Sequence, residues 1–123
     1  FAQCDVVSLH TPWIPATVGM ITGAHLASMK ENATFINTAR GAIVENRALA
    51  DALRRGVIGG AGIDVLDVEP PPLDHPLLAD DIPNLIVTPH SAWAGRQARQ
   101  NVVDETVENI RAFIAGESRN RVA

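Results

Sequence analysis

A chain of 123 residues with a formal charge of −4 and 46% apolar residues can build one globular core and no more. Its mild acidity argues against a nucleic-acid surface, which shows a basic stripe, and no apolar run reaches the ~18 residues that span a bilayer. The single Cys4 excludes an internal disulfide and suits a reducing, cytoplasmic compartment, where it reads as a small strand residue.

The first element is Val6-Val7-Ser8-Leu9, a short apolar run ending in His10-Thr11-Pro12, which predicts a buried strand entering a loop. A helix is predicted from Thr22 to Lys30: Thr22 can cap it, Leu26 and Met29 share a face, and Lys30 suits its negative end. Thr34-Phe35-Ile36-Asn37 is a second strand. Glu45 to Arg55 is a second helix with Ala48, Leu49, Ala52 and Leu53 on one face and Gly56 placed for a left-handed cap. Gly59 to Val65 follows as a third strand whose glycines suggest close approach of a helix or a ligand. The proline-rich stretch from Glu69 to Pro83 is a connection, and Leu85-Ile86-Val87-Thr88 is a fourth strand. A long amphipathic helix runs from about Gly95 to Ala115, with Ala98, Val102, Thr106 and Ile110 in one line, and Gly116 ends it.

Short apolar strands alternating with helices predict an α/β fold with a parallel sheet covered on both faces. Ligands in such sheets gather outside the carboxyl ends of the strands. The residues with chemistry all follow strands: His10-Thr11-Pro12, Thr38-Ala39-Arg40, Asp64 with Glu69, and Pro89-His90-Ser91. Arg40, a permanent charge directly after an apolar run, is therefore expected at the rim of the sheet facing a ligand.

Four stretches, CDVVSLHTP, MKENATFINTARGAIV, GGAGIDVLDVEPP and NLIVTPHSAW, resemble the D-isomer-specific 2-hydroxyacid dehydrogenases, in the same order and over nearly the whole chain. The resemblance implies the second half of a Rossmann-like, doubly wound dinucleotide-binding domain, about four strands with flanking helices. It places that half-domain at residues 1–115 and a tail at 116–123 returning toward a substrate domain. The glycine-rich turn and most of the substrate domain would lie upstream, so the chain, which begins at Phe1, is expected to be a fragment inactive on its own.

By the same resemblance the catalytic residues are Arg40 of N-x-A-R-G, Glu69 of D-V-x-x-x-E-P and His90 of P-H-x-A. The chemistry suits these types. A 2-oxo acid carries a carboxylate beside its reactive carbonyl, and a planar guanidinium can hold it in place. The carbonyl oxygen needs a proton as hydride arrives, and a carboxylate beside a histidine favours the imidazolium that can give one. Cofactor contacts, to NAD or NADP, fall on Thr11 and Pro12 near the adenosine, and on Thr38, Ala39 and Arg40 near the nicotinamide ribose. Asp64 would meet the carboxamide, and His90, Ser91 and Ala92 would close over the ring. Trp93 resembles the glycerate dehydrogenase or hydroxypyruvate reductase branch, which implies reduction of hydroxypyruvate or glyoxylate to the D-2-hydroxy acid. A dinucleotide-sensing corepressor and the phosphoglycerate dehydrogenase branch are the alternatives.

Taken singly, Arg40 could be a loop cation, Glu69 a solvated acid, His90 a structural histidine and Asp64 a turn cap. No metal site is expected, because the four histidines have no metal-ligand spacing, and no G-x-S-x-G elbow supports a hydrolase. The helix near the end is too short for a sustained coiled coil. Without an upstream strand beside it, Val6 to Leu9 would be an open apolar edge, expected to be buried against a second copy, as in a homodimer, or against another partner.

Overall fold

In the computed structural model, the strand β2 (Thr34–Asn37) organises the sheet. It pairs in parallel with β1 (Val6–Leu9) on one side and with β3 (Gly60–Ile63) on the other, and β3 pairs in parallel with β4 (Leu85–Val87). The order is β1-β2-β3-β4. Residues 1–82 and 84–122 are described. Pro83, at the end of the expected proline-rich connection, and Ala123, at the end of the expected tail, lie outside the described residues.

Register does the work that function needs. Leu9 is opposite Asn37, Asn37 opposite Ile63, and Ile63 opposite Val87. All four strands therefore end at one level, and their following loops leave from one edge of the sheet. Helices α1 (Gly23–Ala27) and α2 (Asn46–Arg54) are the crossovers between strands. Phe35, Leu26, Ile43, Leu49 and Ile58 are fully buried between them, each contributing about 1.5–3 kcal/mol by leaving water.

The long helix α3 (Arg96–Ile114) belongs to a second compact unit, Ser91–Ala123, distinct from the sheet unit Phe1–His90. Within it, Arg119 pairs with Glu105 at 2.7 Å and folds the tail onto α3. Val102 and Ile110 of the line expected on this helix are exposed, as are Phe113 and Ile114 nearby.

Three expectations need correction. The sheet is not covered evenly on both faces. In β1 only Leu9 is buried while Val6 is 56% exposed, and Ile86 of β4 is 70% exposed, because both lie on the sheet face that carries Ser8, Thr34, Ile36, Gly60 and Gly62, none of which is buried either. Two of the glycines at β3 admit neighbouring backbone rather than a helix or ligand: a Cβ on Gly59 would lie 2.8 Å from the Asn32 carbonyl, and one on Gly60 3.0 Å from the Asn84 oxygen, while Gly62 faces open space. Helix α1 stops at Ala27, short of Lys30, because Met29 already turns back to the Leu26 carbonyl and Ala33 to that of Lys30.

Candidate functional site

The loop after β2 is built by two buried amides. Asn37, 1% exposed, accepts from the Ala39 N–H at 3.0 Å and donates to the Arg40 carbonyl at 3.0 Å. Asn46 donates to the Val44 carbonyl at 2.9 Å and to the Gly41 carbonyl at 3.3 Å. Between them Arg40 is exposed, its Nη1 donating to the Ala39 carbonyl at 2.7 Å. Gly41 is required here by space. A Cβ would sit 1.9 Å from the Leu66 carbonyl carbon and 2.4 Å from the Asp67 nitrogen, so the loop after β2 rests directly on the loop after β3.

That second loop carries the acids. Asp64 is buried; its N–H donates to the Asn37 carbonyl at 2.9 Å and its carboxylate accepts from the Thr88 hydroxyl at 2.5 Å. Glu69 folds back to accept from the Leu66 N–H at 2.9 Å through Oε1. Its other oxygen, Oε2, lies 2.6 Å from Nδ1 of His90, which follows β4. The His90 hydrogen bond, helped by the Leu66 N–H and opposed by partial burial, holds the Glu69 carboxyl below the usual glutamate range. His90 has a left-handed backbone, φ 52°. That conformation costs a non-glycine residue on the order of 1–3 kcal/mol and is maintained by surrounding contacts. One such contact is the His90 N–H, which donates to the Thr88 carbonyl at 3.0 Å.

Arg40, Glu69 and His90 line one cavity of about 260 Å³, with Trp13, Ala42, Val65, Leu66 and Asp67. A neighbouring groove of about 620 Å³ is lined by His10, Thr11, Pro12, Trp13, Thr38, Ala39 and Arg40. Asp64 opens on a third cavity, about 480 Å³, which it shares with Glu69 and His90. The sheet unit thus gathers seven of the nine expected site residues besides Glu69 along one edge; Ser91 and Ala92 belong to the second unit and are exposed there.

An NAD-binding domain model of the D-isomer specific 2-hydroxyacid dehydrogenases matches residues 1–92. The chain belongs to that family. It is 50% identical over 120 residues to a glycerate dehydrogenase of Methylorubrum extorquens, covering 98% of this chain and 38% of that protein. It is 37% identical over 121 residues to a hydroxypyruvate reductase of Blautia hydrogenotrophica, covering 98% of this chain and 37% of that one. Among solved structures, a D-isomer specific 2-hydroxyacid dehydrogenase from Xanthobacter autotrophicus, in complex with NADPH and MES, superposes with a TM-score of 0.79 at 40% identity, covering 97% of this chain and 48% of that one. The chain therefore spans less than half the length of each of these family members.

Several residues that shape the site escaped sequence reasoning. Asn37 and Asn46 are both buried; for Asn37 a polar residue ending an apolar run is the available signal, and Asn46, which follows Glu45, has none. His75, 5% exposed, lies 2.8 Å from Asp67 through Nε2, while its Nδ1 accepts from the Leu77 N–H. Nδ1 as acceptor makes Nε2–H the donor to Asp67, which ties the proline-rich connection to the loop bearing Glu69. Among the described residues no group of three or more His, Cys, Asp or Glu is placed to hold a metal ion. Trp13, which directly follows Thr11-Pro12, lines both the 260 Å³ cavity and the 620 Å³ groove.

Proposed function

We propose that the complete protein containing this chain is an NAD(P)-dependent reductase of a small 2-oxo acid of the hydroxypyruvate or glyoxylate type, acting reversibly and forming the D-2-hydroxy acid. The observation that carries this reading is the 2.6 Å contact of His90 Nδ1 with Glu69 Oε2 on the wall of a cavity that Arg40 also lines. A guanidinium, a carboxylate and an imidazole there match what a 2-oxo acid needs: one charge to hold the carboxylate, one proton to give the carbonyl oxygen, one anion to keep that proton in place.

Arg40 receives the substrate carboxylate in its planar fork; each such charge-assisted hydrogen bond contributes about 1.5–3 kcal/mol. Holding the carboxylate orients the adjoining carbonyl, and orientation is the larger effect in a two-reactant step. His90 donates to Glu69 through Nδ1, so Nε2 passes a proton to the carbonyl oxygen in reduction and takes it back in oxidation. A positioned group of this kind contributes ~10²–10⁴-fold in rate.

The residues present fit a dinucleotide. The 620 Å³ groove has the size of a nucleotide site, lies at the carboxyl edge of a parallel sheet, and ends at Arg40 beside the smaller cavity. Thr11 and Pro12 would hold its adenosine side, Thr38, Ala39 and Arg40 the nicotinamide ribose, and Asp64 the carboxamide, with His90, Ser91 and Ala92 over the ring. When bound, the cofactor supplies the hydride. The names of the matched relatives, glycerate dehydrogenase and hydroxypyruvate reductase, support the substrate class.

In this reading residues 1–115 are the second half of the dinucleotide-binding domain, 116–123 lead back to a substrate domain, and the isolated chain is inactive. The exposed Val6 on edge strand β1 supports cover by further chain or by a second copy, in a cytoplasmic homodimer. The test is turnover: the complete protein should oxidise NADH or NADPH with hydroxypyruvate or glyoxylate, and Arg40→Ala should lose most of its kcat/KM. Tight dinucleotide binding without turnover would favour a sensor instead.

A further inference from the structure

Trp13 and Arg40 are the two residues common to the 260 Å³ cavity that holds Glu69 and His90 and the 620 Å³ groove that starts at Thr11. Trp13 is 62% exposed, yet its backbone is fixed on both flanks. The buried Thr17 hydroxyl donates to the Pro12 carbonyl at 2.8 Å, on one side of Trp13, and accepts from the Ile14 N–H at 3.0 Å, on the other. The Thr17 N–H adds a bond to the Ile14 carbonyl at 2.9 Å. The same turn is locked to the Arg40 loop, because the Gly19 N–H donates to the Ala42 carbonyl at 2.8 Å and the Ile21 N–H to the Ile43 carbonyl at 2.9 Å. A large rigid side chain is thus held at a fixed place beside Arg40 with its surface toward the cavities. An exposed indole on a clamped turn does not serve the core; its area is on offer to a ligand.

From this placement we propose that Trp13 is a specificity-determining residue, the wall that limits the size of the substituent on the substrate's reacting carbon. The inference rests on the function proposed above and deepens it. If Arg40 takes the carboxylate and His90 the carbonyl oxygen, the third substituent faces the rest of this lining, Trp13, Gly41, Ala42, Val65, Leu66 and Asp67. Gly41 and Ala42 are small, Val65 is buried, and Leu66 and Asp67 share the peptide that Gly41 packs against, so their positions are set by that contact. Trp13 is the one bulky wall carried by a different loop. A cavity of 260 Å³ is below the usual range for drug-sized ligands and suits an acid with a short substituent.

The experiment compares kcat/KM of the complete protein for hydroxypyruvate and for the branched 2-oxo acid derived from leucine, in wild type, Trp13→Phe, Trp13→Leu and Trp13→Ala. Each methylene admitted to an apolar pocket shifts discrimination by roughly 10–200-fold, so Trp13→Ala and Trp13→Leu should raise the branched-to-short ratio at least tenfold, while Trp13→Phe stays within a few-fold of wild type. Because Trp13 is exposed, these variants should keep the melting temperature, which is measured alongside. A ratio unchanged in Trp13→Ala and Trp13→Leu, with wild type turning over hydroxypyruvate, overturns the role of Trp13 alone. Wild type turning over no 2-oxo acid overturns the underlying function, and the role of Trp13 with it.

Discussion

Replacing Glu69 by Gln keeps the shape of the side chain and removes its charge. The 2.6 Å contact to His90 Nδ1 can survive as a neutral hydrogen bond, but the pairing of carboxylate with imidazolium cannot. A charge-assisted bond is worth about 1.5–3 kcal/mol. Both side chains are partly solvated, 37% exposed for Glu69 and 41% for His90, so screening favours the low end. About 1.5 kcal/mol corresponds to a factor of roughly ten in rate. The assay is kcat/KM for reduction of hydroxypyruvate by the complete protein across a range of pH. Where Glu69 is ionised, its charge is what the variant lacks, and the variant should show about a tenfold deficit. As pH falls through the lowered Glu69 value, wild type loses that charge as well and the deficit should shrink. A deficit constant at all pH values would mean that Glu69 only orients the ring, and no deficit anywhere would refute the pairing as the source of the proton.

Gly41→Ala should destabilise the protein by at least about 1–3 kcal/mol, measured by urea unfolding, because its Cβ would meet the Leu66–Asp67 peptide and backbone must move. The same variant should lose activity beyond its loss of stability, since the Arg40 and Glu69 loops share that contact; unchanged stability would show that the loops do not pack as described. Acid should also weaken the fold at two known places. The Glu69 carboxyl is held low by the His90 hydrogen bond and the Asp81 carboxyl by the Arg54 hydrogen bond. Both native values lie below the unfolded ones, so their stabilisation is complete above the ordinary carboxylate range and is lost as pH falls through the lowered values. Unfolding followed from about pH 5 down to pH 2 should show this decline, and Asp81→Asn should make it shallower; a slope identical to wild type would remove the Arg54–Asp81 pair from the account.

Strands were legible in the sequence where the pattern is local. Val6–Leu9 and Thr34–Asn37 have the predicted limits, because a short apolar run bounded by loop residues carries its own ends. Burial was less legible. Val6 and Ile86 look like core residues, and only the register shows that they share the sheet face whose residues are not buried. The meeting of Arg40, Glu69 and His90 could be anticipated because all three follow parallel strands. What could not be anticipated was their support. Asn37, Asn46, Thr17 and His75 act through hydrogen bonds to main chain or to another loop, and such bonds leave no periodic trace in the sequence. The need for Gly41 likewise comes from a peptide more than twenty positions away.

The most direct test of the central claim, that one 2-oxo acid is held by Arg40 and protonated by His90, is a crystal structure of the complete protein with NADH and oxamate, an unreactive analogue of such an acid. The account predicts the oxamate carboxylate in the fork of the Arg40 guanidinium and its amide oxygen within hydrogen-bond distance of His90 Nε2, with Nδ1 still on Glu69. Oxamate bound against NADH with its carboxylate on another cation, or its oxygen away from His90, would contradict it.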